Sequence, residues 1–400
     1  MMKLRALFFA LSVSLLNLCL AQTADTRANA KQDDKPLEIA LSKAGKNRAS
    51  LEKVLKDVPE NMKEGAVFLI SYMPQRDLES LSSDFLLLNI EFAYRAKEKF
   101  PWTKQLPDSI FLNEVLPYAV LNENRDEWRE ELFNRFSKYV ESCKTLREAI
   151  AAVNKNIRDE VRVDYNTQRK RPDQSPSESI DQGMASCSGL SILLTDAFRA
   201  VGIPSRVAGT LNWFDNRGNH NWCEVWIDGK WYFTEYYPDK ELNRSWFLAD
   251  AGKADASNRE HAIYASSFKA AETYFPLAWD TNLKYVNGVN VTPTYKALYK
   301  EQQQQINIDN KHTAIYVIAY ESKNKTTPED RKKCNVDIFQ GKDQVGGGST
   351  KDARQDANDR LQFAVEKNKI YTLKYNNKQG TVEKQVKVDN EPTTVTIFLE

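Results

Sequence analysis

The stretch "QGMASCSGLSILLTDAFRAVGIPSR", Gln182–Arg206, carries a complete helix with its punctuation. Leu190, Leu194, Ala197 and Val201 recur at helical spacing on one face, Gly202 stands where a left-handed C-terminal cap belongs, and Pro204 bars any continuation. Ser186 is the candidate N-cap, which makes Cys187 the first helical residue. Unpaired backbone N–H groups and the helix dipole favour negative charge at that position, and the thiolate is the reactive form of cysteine. Cys187 is therefore open to three readings: a core filler, half of a disulfide, or a nucleophile. The residues downstream of Arg206 decide among them.

The next informative stretch is "HNWCEVWIDGKWYFTEYYPD", His220–Asp239. Two strand-like runs flank Asp228-Gly229, the strongest short hairpin signal. Pairing Ile227 with Lys230 sets Trp222 opposite Glu235 and His220 opposite Tyr237, so Glu235 lies diagonal to His220 on one face. An imidazole can take a thiol proton and return it to a leaving group, and a carboxylate can orient the imidazole, so Cys187, His220 and Glu235 form a geometrically reasonable triad. Asp239 lies beyond Pro238, outside the reach of His220. Cys223 alternates with His220 and Trp222 and so faces away from them, which argues against a zinc pair in "HNWC". His261 is the weaker alternative base, and His312 lies far off in the tail.

The segments "CSGLSILLTDAFRAVGIPSRVAGT" and "HNWCEVWIDGKWYFTE" resemble the transglutaminase-like superfamily of papain-fold thiol enzymes. The resemblance rests on Cys187, the Gly202-Ile203-Pro204 turn with Arg206, His220 and Trp222 on one strand, and Trp231 and Glu235 on the next. One position departs from the pattern, because the family usually has Asp where this chain has Glu235. The resemblance implies acyl chemistry in which Cys187 attacks an amide carbonyl, His220 acts as base and then acid, and Glu235 orients His220. It also implies an oxyanion donor. The Cys187 N–H is one candidate, and Gln182, five residues before the cysteine, is similar to the oxyanion glutamine of papain-type enzymes with a spacing that differs by one. Trp222 is the candidate substrate-side ring. Water as acceptor gives a peptidase or amidase, the favoured expectation; an amine gives a transglutaminase; a catalytically silent binding or scaffolding protein is the reading from another class. No cofactor and no metal are expected.

Composition bounds the partners. Among 400 residues, 56 basic and 55 acidic side chains leave a net charge of +1, so no global field draws the chain to nucleic acid. A peptide or protein substrate is the expected partner. Residues 1–21, with Lys3 and Arg5 before an apolar run that ends at Ala21, read as a cleaved signal peptide, so a secreted or periplasmic location is expected. A lipoprotein reading of Cys19 is disfavoured by Asn17 and Leu18 before it.

The fold class expected is α+β: a papain-like or transglutaminase-like core of one helix against an antiparallel sheet, with an N-terminal helical region and a C-terminal β-sandwich. Its parts are a flexible leader at 22–35, a helical region at 36–159, a catalytic core with a wrapping segment at 160–304, and the sandwich at 305–400. Trp128, Leu132, Phe136 and Val140 mark one helix of the second part, with Cys143 on the same helix as a packing residue. Asp164–Gln182 reads as an exposed loop, and residues 243–305 as an irregular, partly helical segment that wraps the core. The sandwich should be antiparallel, with "GGGST" at Gly346–Thr350 as a flexible link and Cys334 at a strand start. A glycan or protein contact through this sandwich is the remaining partner expectation.

Overall fold

The structure, a computed structural model, describes residues 35–216, 218–306, 311–355 and 359–400. The expected signal peptide at 1–21 and all of the expected leader but its last residue lie outside the described residues. No helix among the described residues is long and apolar enough to cross a membrane. The chain divides into two compact units, Met1–Tyr94 and Arg95–Glu400.

The described part of the first unit is helical: α1 (residues 35–43), α2 (Arg48–Asp57), α3 (Lys63–Tyr72), α4 (Gln75–Leu78) and most of α5 (Ser83–Lys99). Leu51, Val54, Ala66, Leu69 and Ile70 are fully buried along these helices, and Asn47 Nδ2 donates to the Leu78 and Leu81 carbonyls at 2.9 Å each.

The second unit is α+β. Its helices α6 (Asp108–Glu114), α7 (Trp128–Val140) and α8 (Leu146–Val161) precede the short parallel pair β1 (Asp164–Tyr165) and β2 (Met184–Ala185), with α9 (Pro176–Gln182) between them. The apolar face of α7 is the one read from sequence, with Trp128, Leu132, Phe136 and Val140 all buried. Cys143 is a correction. Thr145 caps α8 in a capping box with Glu148, so the chain breaks before it and Cys143 sits in the connecting turn. A second correction concerns Asp164–Gln182. Ser175 and Glu178 form another capping box that starts α9, and Asp173, Gln174, Ser175 and Ser179 are buried, so half of the supposed exposed loop is packed structure.

Helix α10 (Cys187–Ala200) packs between α7 on one side and strands β3 (Ser205–Thr210) and β4 (His220–Ile227) on the other. Strand β4 pairs with β5 (Lys230–Thr234). The short helix α11 (Leu248–Ala251) precedes β6 (Ile263–Ser267), β7 (Thr273–Tyr274) and β8 (Asn287–Asn290), and the six strands form one antiparallel sheet in the order β5-β4-β3-β6-β8-β7. The segment expected to be irregular and partly helical does carry α11 and α12 (Thr292–Ile306), but it also supplies three strands of the sheet. Their short, Asn- and Gly-bearing sequences have no clear alternation, because tertiary pairing and not pattern holds them. Helix α12 (Thr292–Ile306) then covers the face of the sheet opposite α10, where Trp213, Trp222, Phe233, Phe247 and Tyr295 share a core.

Strands β9 (His312–Tyr320), β10 (Asn335–Gln340), β11 (Asp343–Ser349), β12 (Leu361–Glu366), β13 (Ile370–Asn377), β14 (Gly380–Lys387) and β15 (Thr393–Phe398) make two sheets, β11-β10-β13-β14 and β12-β9-β15, around an apolar core of Ile315, Val317, Val336, Ile338, Leu373 and Ile397. Two differences from expectation stand out. Strand β15 runs parallel to β9, which the long connection through β10–β14 permits. Gly346–Ser349 is no flexible link but strand, paired with β10. A Cβ on Gly347 would lie 2.6 Å from Asp337 Oδ1 and one on Gly348 2.6 Å from Leu361 Cδ1, so the glycines admit close packing.

Gly209 of β3 faces Asn221 of β4, and a Cβ there would come within 1.9 Å of Asn221 Oδ1 and 2.7 Å of the His220 carbonyl. Gly209→Ala is expected to cost about 1–3 kcal/mol by overpacking. A lowered thermal midpoint checks it, and a midpoint equal to that of the parent chain contradicts the close approach.

Candidate active site

Cys187 opens α10 as the sequence predicts. Ser186 is the N-cap: its Oγ accepts from the Gly189 N–H at 3.0 Å and donates to the Pro172 carbonyl. The first turn is then fastened to the start of β4. The Ser191 hydroxyl lies within hydrogen-bond distance of both the Cys187 carbonyl (2.7 Å) and the Asn221 carbonyl (3.0 Å), and Asn221 Nδ2 donates to Ser188 Oγ at 2.7 Å. The residue before Asn221 is His220, so these bonds set the distance between the helix start and the imidazole.

The β4–β5 hairpin places the carboxylate. Asp228 and Gly229 both have positive φ, 50° and 85°, as a tight type I′ turn requires. The register runs from Ile227 opposite Lys230 to Cys223 opposite Thr234, as read from the sequence, and Glu235 follows directly on the paired region. His220 Nε2 and Glu235 Oε1 are 2.8 Å apart, and Glu235 Oε2 accepts from Ser245 Oγ. Asp239 is turned away: its carboxylate accepts from the Lys240 N–H at 2.5 Å. The imidazole is caged by rings, with centroids of Trp246, Phe247, Trp222 and Trp213 at 5.0, 5.5, 5.7 and 6.3 Å. Such apolar surroundings strengthen the contact between imidazole and carboxylate.

Cys187, His220 and Glu235 line one cavity of about 130 Å³, bordered by Tyr165, Tyr236 and Trp246. The hydroxyl of Tyr236 donates to the Val163 carbonyl at 2.9 Å, which fixes its ring against the wall.

Two of the five residues named from sequence do not reach this cavity. Gln182 ends α9 with its amide spent locally, Nε2 on the Glu178 carbonyl at 3.0 Å and Oε1 accepting from the Lys170 N–H at 3.1 Å. Trp222 is fully buried, and its indole N–H donates to the Tyr295 hydroxyl at 2.6 Å; it buttresses His220 from behind and touches no open space. His261 is held elsewhere, with Nδ1 2.9 Å from the Trp213 carbonyl. Sequence reasoning missed Ser245 and Trp246, which lie in a stretch without periodicity, so no spacing signal marked them.

All four described cysteines are free thiols; Cys223 is buried, and Cys143, Cys187 and Cys334 are half-buried. Desolvation pushes the Cys223 thiol up to about 12, and burial also raises those of Cys143 and Cys334. At mildly acidic pH, iodoacetamide is therefore expected to label Cys187 first. Peptide mapping by mass spectrometry checks this, and equal labelling of all four ends the nucleophile reading.

Residues 134–236 match the family model described as transglutaminase-like superfamily. That span runs from α7 through the whole helix and hairpin that carry Cys187, His220 and Glu235. Among solved structures, a candidate cysteine protease from Cytophaga hutchinsonii is 18% identical over 48% of this chain and 68% of its own, with a TM-score of 0.28. Red sea bream transglutaminase is 9% identical over 72% of this chain and 65% of its own, with a TM-score of 0.29. A comparison with curated proteins gave no match. Over residues 134–236 the chain is similar to the transglutaminase-like superfamily.

Proposed function

We propose that the protein is an exported cysteine-dependent acyl-transfer enzyme that hydrolyses a peptide or amide bond through a thioester. The observation that carries the reading is the 2.8 Å contact of His220 Nε2 with Glu235 Oε1 in the cavity that Cys187 opens onto. Export rests on the layout of residues 1–21 alone.

In this reading His220 takes the Cys187 proton, and the sulfur attacks the carbonyl carbon. A C–S bond forms and the carbonyl oxygen becomes an oxyanion, stabilised by backbone N–H groups at the α10 start. Collapse breaks the C–N bond, and the leaving amine takes its proton from the imidazolium. Water, deprotonated by His220, then attacks the thioester, and the returning proton restores the thiol. Glu235 holds the imidazole in one tautomer and steadies its positive form, with Ser245 fixing the second carboxylate oxygen. The extra methylene of glutamate over the family's usual aspartate fits the position of Glu235 just past the end of β5.

Mass spectrometry of the mature protein incubated with a peptide mixture and excess primary amine tests the reading. Cleaved peptide or free acid from the parent chain, and none from Cys187→Ala, is the expected result. Dominant isopeptide product makes the acceptor an amine, and no product from either chain leaves a binding or scaffolding role.

Glu235→Gln is expected to lower turnover by up to the order of 10⁴-fold, as when the orienting carboxylate of a serine triad is neutralised. Asp239→Asn should change it far less, and equal losses in the two variants would remove Glu235 from the triad.

A further inference from the structure

The segment that leaves β5 returns to the triad along a fixed path. Strand β5 ends the six-stranded sheet, so among the described residues one of its edges has no strand partner. Asn243 covers that edge at Phe233: its N–H donates to the Phe233 carbonyl at 2.9 Å, and its Oδ1 accepts from the Phe233 N–H at 2.8 Å. A side chain and a backbone group together thus stand in for a neighbouring strand. Asn243 has φ 64°, in the left-handed region that asparagine enters more readily than most residues. Its own carbonyl accepts from Gln302 Nε2 of α12 at 2.7 Å. The anchor is firm, because Phe233 is 2% exposed and its ring lies 4.9 Å from that of Phe247 and 5.7 Å from that of Tyr295.

Two residues further on, the same segment reaches the carboxylate of the site. Ser245 Oγ donates to Glu235 Oε2, while Glu235 Oε1 contacts His220 Nε2 at 2.8 Å. The Ser245 carbonyl accepts from the Leu248 N–H at 3.3 Å, which starts the turn into α11. Both links join residues ten apart, Phe233 to Asn243 and Glu235 to Ser245, so the first sets the offset of the second. A glutamate has one rotatable bond more than an aspartate, and a second anchor on its carboxylate removes that freedom.

We propose that Asn243 is a positioning residue for the triad of Cys187, His220 and Glu235, acting through Ser245: its clamp on Phe233 sets where the Ser245 hydroxyl meets the Glu235 carboxylate. The proposal rests on the reading of Cys187 as nucleophile. With Ser245 in place, Glu235 keeps one orientation and steadies the imidazolium, and the imidazolium in turn favours the Cys187 thiolate. A loosened clamp lets the glutamate rotate and withdraws that support, while every reacting group stays in place. A hydrogen bond to a charged group corresponds to about tenfold in such a balance.

Iodoacetamide, from which the sulfur displaces iodide, reads the thiolate without an identified substrate. The labelling rate of Cys187 is followed by peptide mapping from about pH 5 to about pH 9.5, on either side of the free-thiol value of about 8.5. Asn243→Gly keeps the backbone angle and removes the side-chain acceptor. It should slow labelling about tenfold at about pH 6 and leave it unchanged above about pH 9, where the thiol ionises without help. Besides the triad, the titratable groups on the cavity wall are Asp359, Tyr165, Tyr236 and Tyr237, and every variant leaves them in place. Asn243→Asp retains the acceptor oxygen and should keep the parent profile. Ser245→Ala should reproduce the loss, and the double variant should lose no more than either single one. Gln302→Ala should shift the profile the same way in smaller measure, which carries the test should Asn243→Gly fail to fold. A parent-like profile in both loosened variants, a slowing that is uniform across pH, or additive losses in the double variant overturns the role of Asn243 and leaves the nucleophile standing. A parent chain whose Cys187 labels no faster than free cysteine at about pH 6 overturns the nucleophile and this proposal with it.

Discussion

Two positive φ angles at Asp228 and Gly229 fix the candidate site. A tight turn with that geometry allows one register between β4 and β5, and a slip by one residue would turn Glu235 to the opposite face of the sheet. His220 and Glu235 are fifteen positions apart in sequence and 2.8 Å apart in space because those two turn residues close the hairpin without a bulge.

A second set of contacts keeps the imidazole from rocking. Trp222 stacks on Trp213 and Phe247, donates to Tyr295, and Tyr295 in turn donates to Glu224 Oε1 at 2.8 Å. Glu224 Oε2 accepts from Arg206 Nε at 2.7 Å, and the Arg206 guanidinium lies 3.7 Å from the Trp231 ring. Arginine is suited to this place because its planar cation can stack and form an ion pair at once. The "GIP-x-R" arginine is therefore a structural partner of the histidine strand, remote from the cavity.

Behind α10 the charges are buried more deeply. Arg199 donates to the carbonyls of Glu114, Ser205 and Ala119, and Arg129 to those of Val115, Leu116 and Pro117. The turn from 114 to 119 has few backbone partners of its own, so two guanidinium groups satisfy its acceptors. Asp196 lies among them, and burial holds its carboxyl well above the usual carboxylate range, with Glu123 adding to the effect and Arg199 and Arg129 opposing it. Removal of one arginine would strand the remaining buried charges, which costs more than the pair contributes. The helix that Cys187 opens is thus anchored at its C-terminal end by charge and at its N-terminal end by the Ser186 cap.

The sequence by itself determined what local chemistry dictates: the cap before Cys187, the stop at Gly202 and Pro204, the hairpin at Asp228-Gly229, and hence Cys187, His220 and Glu235 as a set. It also determined the α+β class and most strands of the sandwich, because alternation and helical spacing survive in the residues themselves. Only the tertiary structure decided the rest. Ser245 and Trp246 meet His220 and Glu235 through a stretch with no period, β6 and β8 exist because neighbouring strands offer partners, and Gly346–Ser349 is strand because β10 and Leu361 accept no side chain there. Gln182 and Trp222 were misplaced for the same reason. Spacing from the cysteine says how far along the chain a side chain lies, but its hydrogen-bond partners, Lys170 and Glu178 for one and Tyr295 for the other, settle which way it points.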